Sequence, residues 1–366
     1  MRVLAIATTI DKPEAHIFAG LAARGVKVWF IATPLPEHRA LLERAGVEII
    51  DHAFSNRFDL KGIRLIRKVV AEKGIDAIYA LSNRGLSCSV LGLMNRDIPI
   101  MAYRGTVGHL SRLDPTSWLT YLNPRVKRIM CVSDAVRQYL LDIGISKEKA
   151  VLVYKGHDTA WYQESPPPRS SLAIPDDAFV VGCTAVMRPV KGVDVLLEAV
   201  SSLLSELPKL HLLLVGSIKD PAIERLVAAF PDPSRLHLTG YRTDATRLAR
   251  ISDVVVMASK TREGFPKSII EAMSQGVPAI VTKVGGMPEL VGLGSAGIMI
   301  PPSDSGALAD AIRSLYTDRA RSKELGLLGQ KRIEEVFNIN STIQSTYDTL
   351  ESLTRRPATV PLGASN

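Results

Sequence analysis

The stretch FVVGCTAVMRPVKGVDVLLEAVSSLL, residues 179–204, contains one complete structural unit. Its first eight residues form a short apolar, β-branched run that suits a strand buried on both faces. MRPVKG interrupts the run with a proline and a glycine, and VDVLLEAVSSLL then sets apolar residues at helical spacing. A strand that leads into a helix, repeated along a chain, builds a parallel sheet with helices on its faces.

The unit repeats in both directions. Downstream come LHLLLVG, RLHLTG, DVVVMAS, PAIVT and GIMIPP; upstream come VLAIA, VKVWFIA, VEII, DAIYAL, IPIMAY, RIMCVS and AVLVY, with amphipathic segments between them, among them helices near Pro13–Arg24 and Arg84–Met94. Between the two series lies WYQESPPPRSSLAIPDD, rich in proline and serine, which reads as a linker. The expected fold class is α/β: two Rossmann-like, doubly wound parallel-sheet domains in tandem, residues 1–163 and 171–340. The last helical pattern, Ser341 to Leu353, is expected to cross back to the first domain, so residues 341–366 are assigned to it, with RRPATVPLGASN as a disordered tail.

With 366 residues, 46% hydrophobic and 22% charged, the chain has the makeup of an ordinary globular protein of two domains. Cys88, Cys131 and Cys183 are odd in number and scattered in apolar patterns, which argues against a disulfide framework. The opening MRVLAIATTIDK reads as a first buried strand, and no segment has the run of about 18 apolar residues that a spanning helix needs. The expected location is cytoplasmic, at most against the inner face of a membrane. All of the +8 net charge lies in residues 1–170, which hold 24 Lys+Arg against 16 Asp+Glu, whereas residues 171–366 hold 21 of each. Lys61, Arg64, Arg67 and Lys68 belong to the helical pattern 60–74, which is either a solvated face or a surface for anionic lipid. Nucleic acid is not an expected partner, since no zinc-finger spacing or arginine-rich arm is present.

Ligands of such sheets bind beyond the carboxyl ends of the strands, and three places there draw attention. Arg188 and Lys191, beside Gly192 and a helix start, form either a phosphate clamp or two solvated loop cations. Tyr241 and Arg242, after Gly240, belong either to a loop that holds a base ring or to an ordinary turn. In EGFPKSIIEAM, residues 263–273, Pro266 suits a first helical turn, with Gly264 and Phe265 in the turn before it and the N–H groups of Lys267 and Ser268 exposed. Glu271 then falls in the first turns of the helix, where an acid also compensates the dipole, and Glu263 stays in the loop.

Glu263-Gly264-Phe265-Pro266 followed by Glu271-Ala272-Met273 resembles the paired-glutamate motif of the GT4-type glycosyltransferases, which retain anomeric configuration and have the two-domain GT-B fold. RPVKG, GVPAIVTKVGGMPELV, VSDAVRQYL and YKGHD resemble further family segments in the same order. The resemblance implies a nucleotide-sugar donor on the second domain, with UDP the expected nucleotide, and a glycan or lipid-linked acceptor on the first, in lipopolysaccharide or another cell-envelope polysaccharide. It implies no metal. Arg188 and Lys191 would stabilise the leaving phosphate, Glu263 would face donor-sugar hydroxyls and Glu271 the ribose, with the amides of Gly264 to Pro266 close to the sugar.

The first domain departs from the family pattern. TTIDKPEAH lacks the usual glycine-rich loop, although Asp11, Glu14 and His16 could face the cleft, and MAYRGTVGHLS puts Arg104 where relatives often carry histidine, with His109 five residues on. Arg104, His109 and His16 are therefore the acceptor-side candidates. A non-catalytic relative that binds nucleotide sugar or glycan is the alternative; an epimerase or phosphorylase fits the motifs less well, and no G-x-G-x-x-G follows the first strand as a nicotinamide enzyme would require.

Overall fold

The computed structural model describes residues 1–355, so the expected tail, beyond Arg355, lies outside the described residues. The strands of the first sheet are β1 (Arg2–Ile6), β2 (Lys27–Ile31), β3 (Glu48–Ile50), β4 (Ala77–Ala80), β5 (Ile100–Arg104), β6 (Val126–Cys131) and β7 (Ala150–Leu152). They run parallel in the order β3-β2-β1-β4-β5-β6-β7. The second sheet contains β8 (Phe179–Thr184), β9 (Leu210–Val215), β10 (Leu236–Gly240), β11 (Val254–Met257), β12 (Ala279–Thr282) and β13 (Ile298–Ile300). Its order is β10-β9-β8-β11-β12-β13, again parallel throughout.

Both sheets are covered by helices on both faces, which is why their central strands read as unbroken apolar runs. Phe179, Val181 and Cys183 of β8 point to one buried layer and Val180 to the opposite one. In each domain the strand order reverses beside the first strand made, between β1 and β4 and between β8 and β11. Those two reversals open crevices at the carboxyl edges of the sheets, where the loops of interest emerge.

The Ile339–Thr354 helix belongs to the core of the first sheet. Ile339, Ile343 and Leu350 are buried with Phe18, Phe30 and Tyr79. Gly20 has no side chain where Ile343 seats, and any Cβ there would overlap it. The return crossing is pinned by backbone bonds from His157 N–H to Phe337 (2.7 Å) and from Ile339 N–H to His157 (2.9 Å). Thr342 Oγ1 accepts from the Gly156 N–H at 2.9 Å and donates to the Tyr154 carbonyl at 2.7 Å. The two domains are thus joined by two passages of chain. The proline-rich linker contains two short 3-10 turns, Thr159–Tyr162 and Arg169–Leu172. Arg169 fastens the second turn to the second domain, donating to Asp253 at 3.0 Å and to the Ile251 carbonyl at 2.9 Å.

Candidate active site

The Pro189–Lys191 turn follows β8 and ends at Gly192, whose φ of 66° and close approach to the Ala258 carbonyl admit no side chain. The turn directs the Lys191 ammonium onto Oε1 of Glu263. Ser259 Oγ donates to the same oxygen at 2.7 Å, and Thr282 Oγ1 fixes Ser259 through its carbonyl at 2.6 Å. Glu263 is only 8% exposed, so its charge is matched by a cation and a hydroxyl rather than by water. Arg188, at the head of the turn, stays exposed.

The loop 263–266 ends at Pro266, which caps the Lys267–Met273 helix with φ −70° and ψ 112°, so the helix begins one residue later than the sequence suggested. Lys267 reaches Glu271 at 3.3 Å. Burial raises the Glu271 carboxyl above the usual range, against the pull of Lys267. Glu271 and Lys267 line a cleft of about 700 Å³ between the domains, with Lys12, His16 and Trp161 opposite them. His16 stacks on Trp161 at 4.3 Å between centroids, and the Lys12 ammonium lies 5.3 Å from the same ring. Glu263 therefore sits in the loop before the helix, paired with Lys191, and Glu271 sits on the helix, lining the inter-domain cleft.

The glycine-free turn before the Lys12–Ala23 helix is built from charge instead. Asp11 caps the helix reciprocally with Glu14. Lys155, from the loop after β7, lies between them at 2.6 Å and 3.1 Å. This triad occupies the acids that the sequence left free to face the cleft.

Arg104 departs from its expected role. It is 4% exposed, its guanidinium lies 4.7 Å from the Tyr121 ring, and it donates to the Gly108 carbonyl. Its place is inside the first domain, where it shapes the loop after β5, rather than open to the cleft. His109 does stand at the cleft, with its Nε2 3.1 Å from the Arg262 guanidinium of the other domain. Both residues have φ near 64°, a left-handed conformation that costs side-chain-bearing residues energy and is held here by their surroundings. Tyr241 is 77% exposed, and Arg242 is paired bidentately with Asp244 at 2.7 and 2.8 Å.

Sequence reasoning overlooked Glu289 in the GGMPEL segment. Gly285 and Gly286 pack directly under the carbonyls of Glu263 and Gly264, and Gly286 N–H donates to the Gly264 carbonyl at 3.1 Å. Glu289 then crosses to the first domain. A glycine pair before Pro-Glu was the visible trace of this close packing.

Two parallel-sheet domains facing across a cleft are the GT-B architecture. The chain belongs to the GT4-type glycosyltransferases: residues 15–161 match the family described as Glycosyltransferase Family 4, and residues 178–318 match Glycosyl transferases group 1. It is 27% identical to the lipopolysaccharide core biosynthesis mannosyltransferase LpsB of Rhizobium meliloti, over 72% of this chain and 76% of that protein. It is 30% identical to a D-inositol 3-phosphate glycosyltransferase of Streptomyces avermitilis, over 49% of this chain and 41% of the relative. Among solved structures, Anabaena Alr3699/HepE in complex with UDP superposes with a TM-score of 0.79 at 21% identity, covering 96% of this chain and 100% of that one. A glycosyltransferase from Rickettsia africae superposes with 0.80 at 19% identity, over 97% and 99%.

Proposed function

We propose that the protein is a retaining glycosyltransferase that moves a hexose from a nucleotide sugar, with UDP the expected nucleotide, to a glycan or lipid-linked acceptor of the cell envelope. The observation that carries this reading is the placement of Glu263 in the loop before the Lys267–Met273 helix, paired with Lys191 of the turn that Arg188 heads, and of Glu271 on that helix, lining the inter-domain cleft. In this reading the phosphates meet Arg188, Lys191 and the free N–H groups at the helix start, while the two carboxylates meet hydroxyls. Lys191 has three donors and uses one on Glu263, leaving others for a phosphate oxygen. As the bond from sugar to phosphate breaks, negative charge grows on the departing oxygen, where these cations count most. The cationic groups serve here in place of a metal ion. The similarity to a lipopolysaccharide core enzyme supports an envelope acceptor.

Nucleotide release from UDP- and GDP-sugars, measured with and without candidate envelope acceptors, tests the activity; tight nucleotide binding with no turnover on any donor favours the non-catalytic alternative. The two glutamates should separate by role. Glu271→Ala is expected to weaken binding of free nucleoside diphosphate by about 10- to 100-fold, the loss of hydrogen bonds to a charged acceptor. Glu263→Ala should leave that constant within about threefold and reduce transfer instead. Calorimetry with the diphosphate alone distinguishes them, and equal effects from both changes would remove the assignment.

The first domain also supplies the face we assign to an anionic membrane. Lys61, Arg64 and Lys68 are exposed on the Leu60–Lys73 helix, and Phe58 and Leu60 beside its start are 58% and 64% exposed. Arg67 differs, because it donates to the Gly92 and Leu91 carbonyls and closes the end of a neighbouring helix. Among the described residues no helix is long and apolar enough to span a membrane. Replacing Lys61, Arg64 and Lys68 by glutamine is expected to lower partitioning onto anionic vesicles by about 100-fold, at roughly 1 kcal/mol per residue. Neutral vesicles should bind neither protein. Equal cosedimentation of variant and parent, or binding indifferent to salt, would leave the helix as a solvated face.

A further inference from the structure

We infer that Glu289 is a positioning residue for sugar transfer, a carboxylate of the second domain that docks the first by capping one of its helices. The helix Asp134–Asp142 begins with Ser133 as its cap, whose hydroxyl accepts from Val136. The N–H groups of Asp134 and Ala135 have no partner within their own helix. Glu289 accepts both, at 2.7 Å and 2.9 Å, one with each carboxylate oxygen. A bidentate carboxylate on a helix N-terminus is a charge-assisted contact in a favourable dipole field. It joins residues 155 positions apart, on different domains.

The contact bears on the chemistry through what Glu289 is attached to. Arg332 holds its short helix from behind, donating to the Glu289 carbonyl at 2.7 Å and the Leu290 carbonyl at 3.1 Å. From there the chain runs back through Gly286 and Gly285, which lie against the Glu263 and Gly264 carbonyls, while Gly286 also abuts Ser133 of the first domain. Gly264 in turn lies against the Gly105 carbonyl and Thr106. Phe265 packs on Tyr154 with 5.8 Å between ring centroids. The Glu289 contact therefore fixes the plate that backs the donor loop, and with it the distance between that loop and the acceptor side.

This inference rests on the transferase reading, and its test has one arm that does not. The buried thiols of Cys88, Cys131 and Cys183 are pushed up by burial to about 11, 12 and 12, so spin labels go selectively to cysteines introduced at the exposed Leu113 and Lys219, one on each domain. With UDP bound, the parent should show a single narrow inter-domain distance distribution, and Glu289→Ala a broader one. In turnover, Glu289→Ala should lower kcat about 30-fold or more at saturating donor, with the dissociation constant for UDP within threefold, a split that a general loss of folding would not produce.

The N–H groups can be tested separately. Proline is well suited to the first position of a helix and Ser133 is already extended, so Asp134→Pro deletes one donor without disturbing the helix. It should lower kcat about fivefold or more relative to Asp134→Ala, which removes the same carboxylate but keeps the N–H. An unchanged distance distribution in Glu289→Ala, or equal rates for Asp134→Pro and Asp134→Ala, would overturn the inference. A parent protein that transfers no sugar while the distance still responds to Glu289 would overturn the transferase reading alone.

Discussion

Lys191→Ala is expected to slow sugar transfer by about 10²- to 10³-fold, about 2.7–4 kcal/mol of transition-state stabilisation, while binding of the nucleoside diphosphate falls less than tenfold. The difference arises because the ammonium group is worth most when negative charge concentrates on the departing oxygen. The substitution has a second effect, since it strips Glu263 of its cation and leaves only the Ser259 hydroxyl at an 8% exposed carboxylate. Stability should therefore fall as well, by less than a fully buried pair would lose because the Lys191 side chain is itself 29% exposed. The double variant Lys191→Ala, Glu263→Gln removes the stranded charge and separates the two effects: melting temperature should recover, transfer should not. Rates within a factor of about three of the parent for both Arg188→Ala and Lys191→Ala would show that these cations are not the clamp.

Gly264→Ala should be nearly as damaging for a steric reason. A methyl group at this position would overlap the Gly105 carbonyl and crowd the Thr106 backbone across the cleft. Both obstacles are main chain, so no rotamer change relieves the clash, and the domains or the loop must shift. A displacement of about 1 Å in a positioned site can cost on the order of 100-fold in rate. Because the clash lies between domains, the melting temperature and the affinity for free UDP should change little. Steady-state kinetics beside calorimetry checks both halves of this expectation, and a kcat close to that of the parent would mean that the reaction does not require this approach.

The alternation of strand and helix was legible because strands buried on both faces carry no polar alternation to blur them; β8 and β9 are apolar almost throughout. The helix at Lys267 was legible too, through the local chemistry of proline and glycine. The direction of Arg104 was not. Whether an arginine after a strand faces the cleft or turns inward depends on Tyr121 and Tyr139, which lie 17 and 35 residues later and become neighbours only through the fold. The bridge from Lys155 to Asp11 and Glu14 and the reach of Glu289 to Asp134 span 144, 141 and 155 positions. No spacing rule covers such distances, so these groups leave in the sequence only a lysine in a turn and an acid that follows a glycine pair and a proline.

The return of the Ile339–Thr354 helix to the first sheet also bears on the order of folding. Domains generally fold as units while the chain is being synthesised, the amino-terminal one first. Here the earlier domain lacks Ile339, Ile343 and Leu350, part of its own core, until the whole later domain has been made. On the ribosome, the apolar surface around Phe18 and Ala15 must wait through the synthesis of some 170 further residues, roughly 10–30 s at bacterial or eukaryotic speeds of about 5–20 residues per second. That interval leaves part of the first domain's core uncovered and ties its completion to the synthesis of its neighbour.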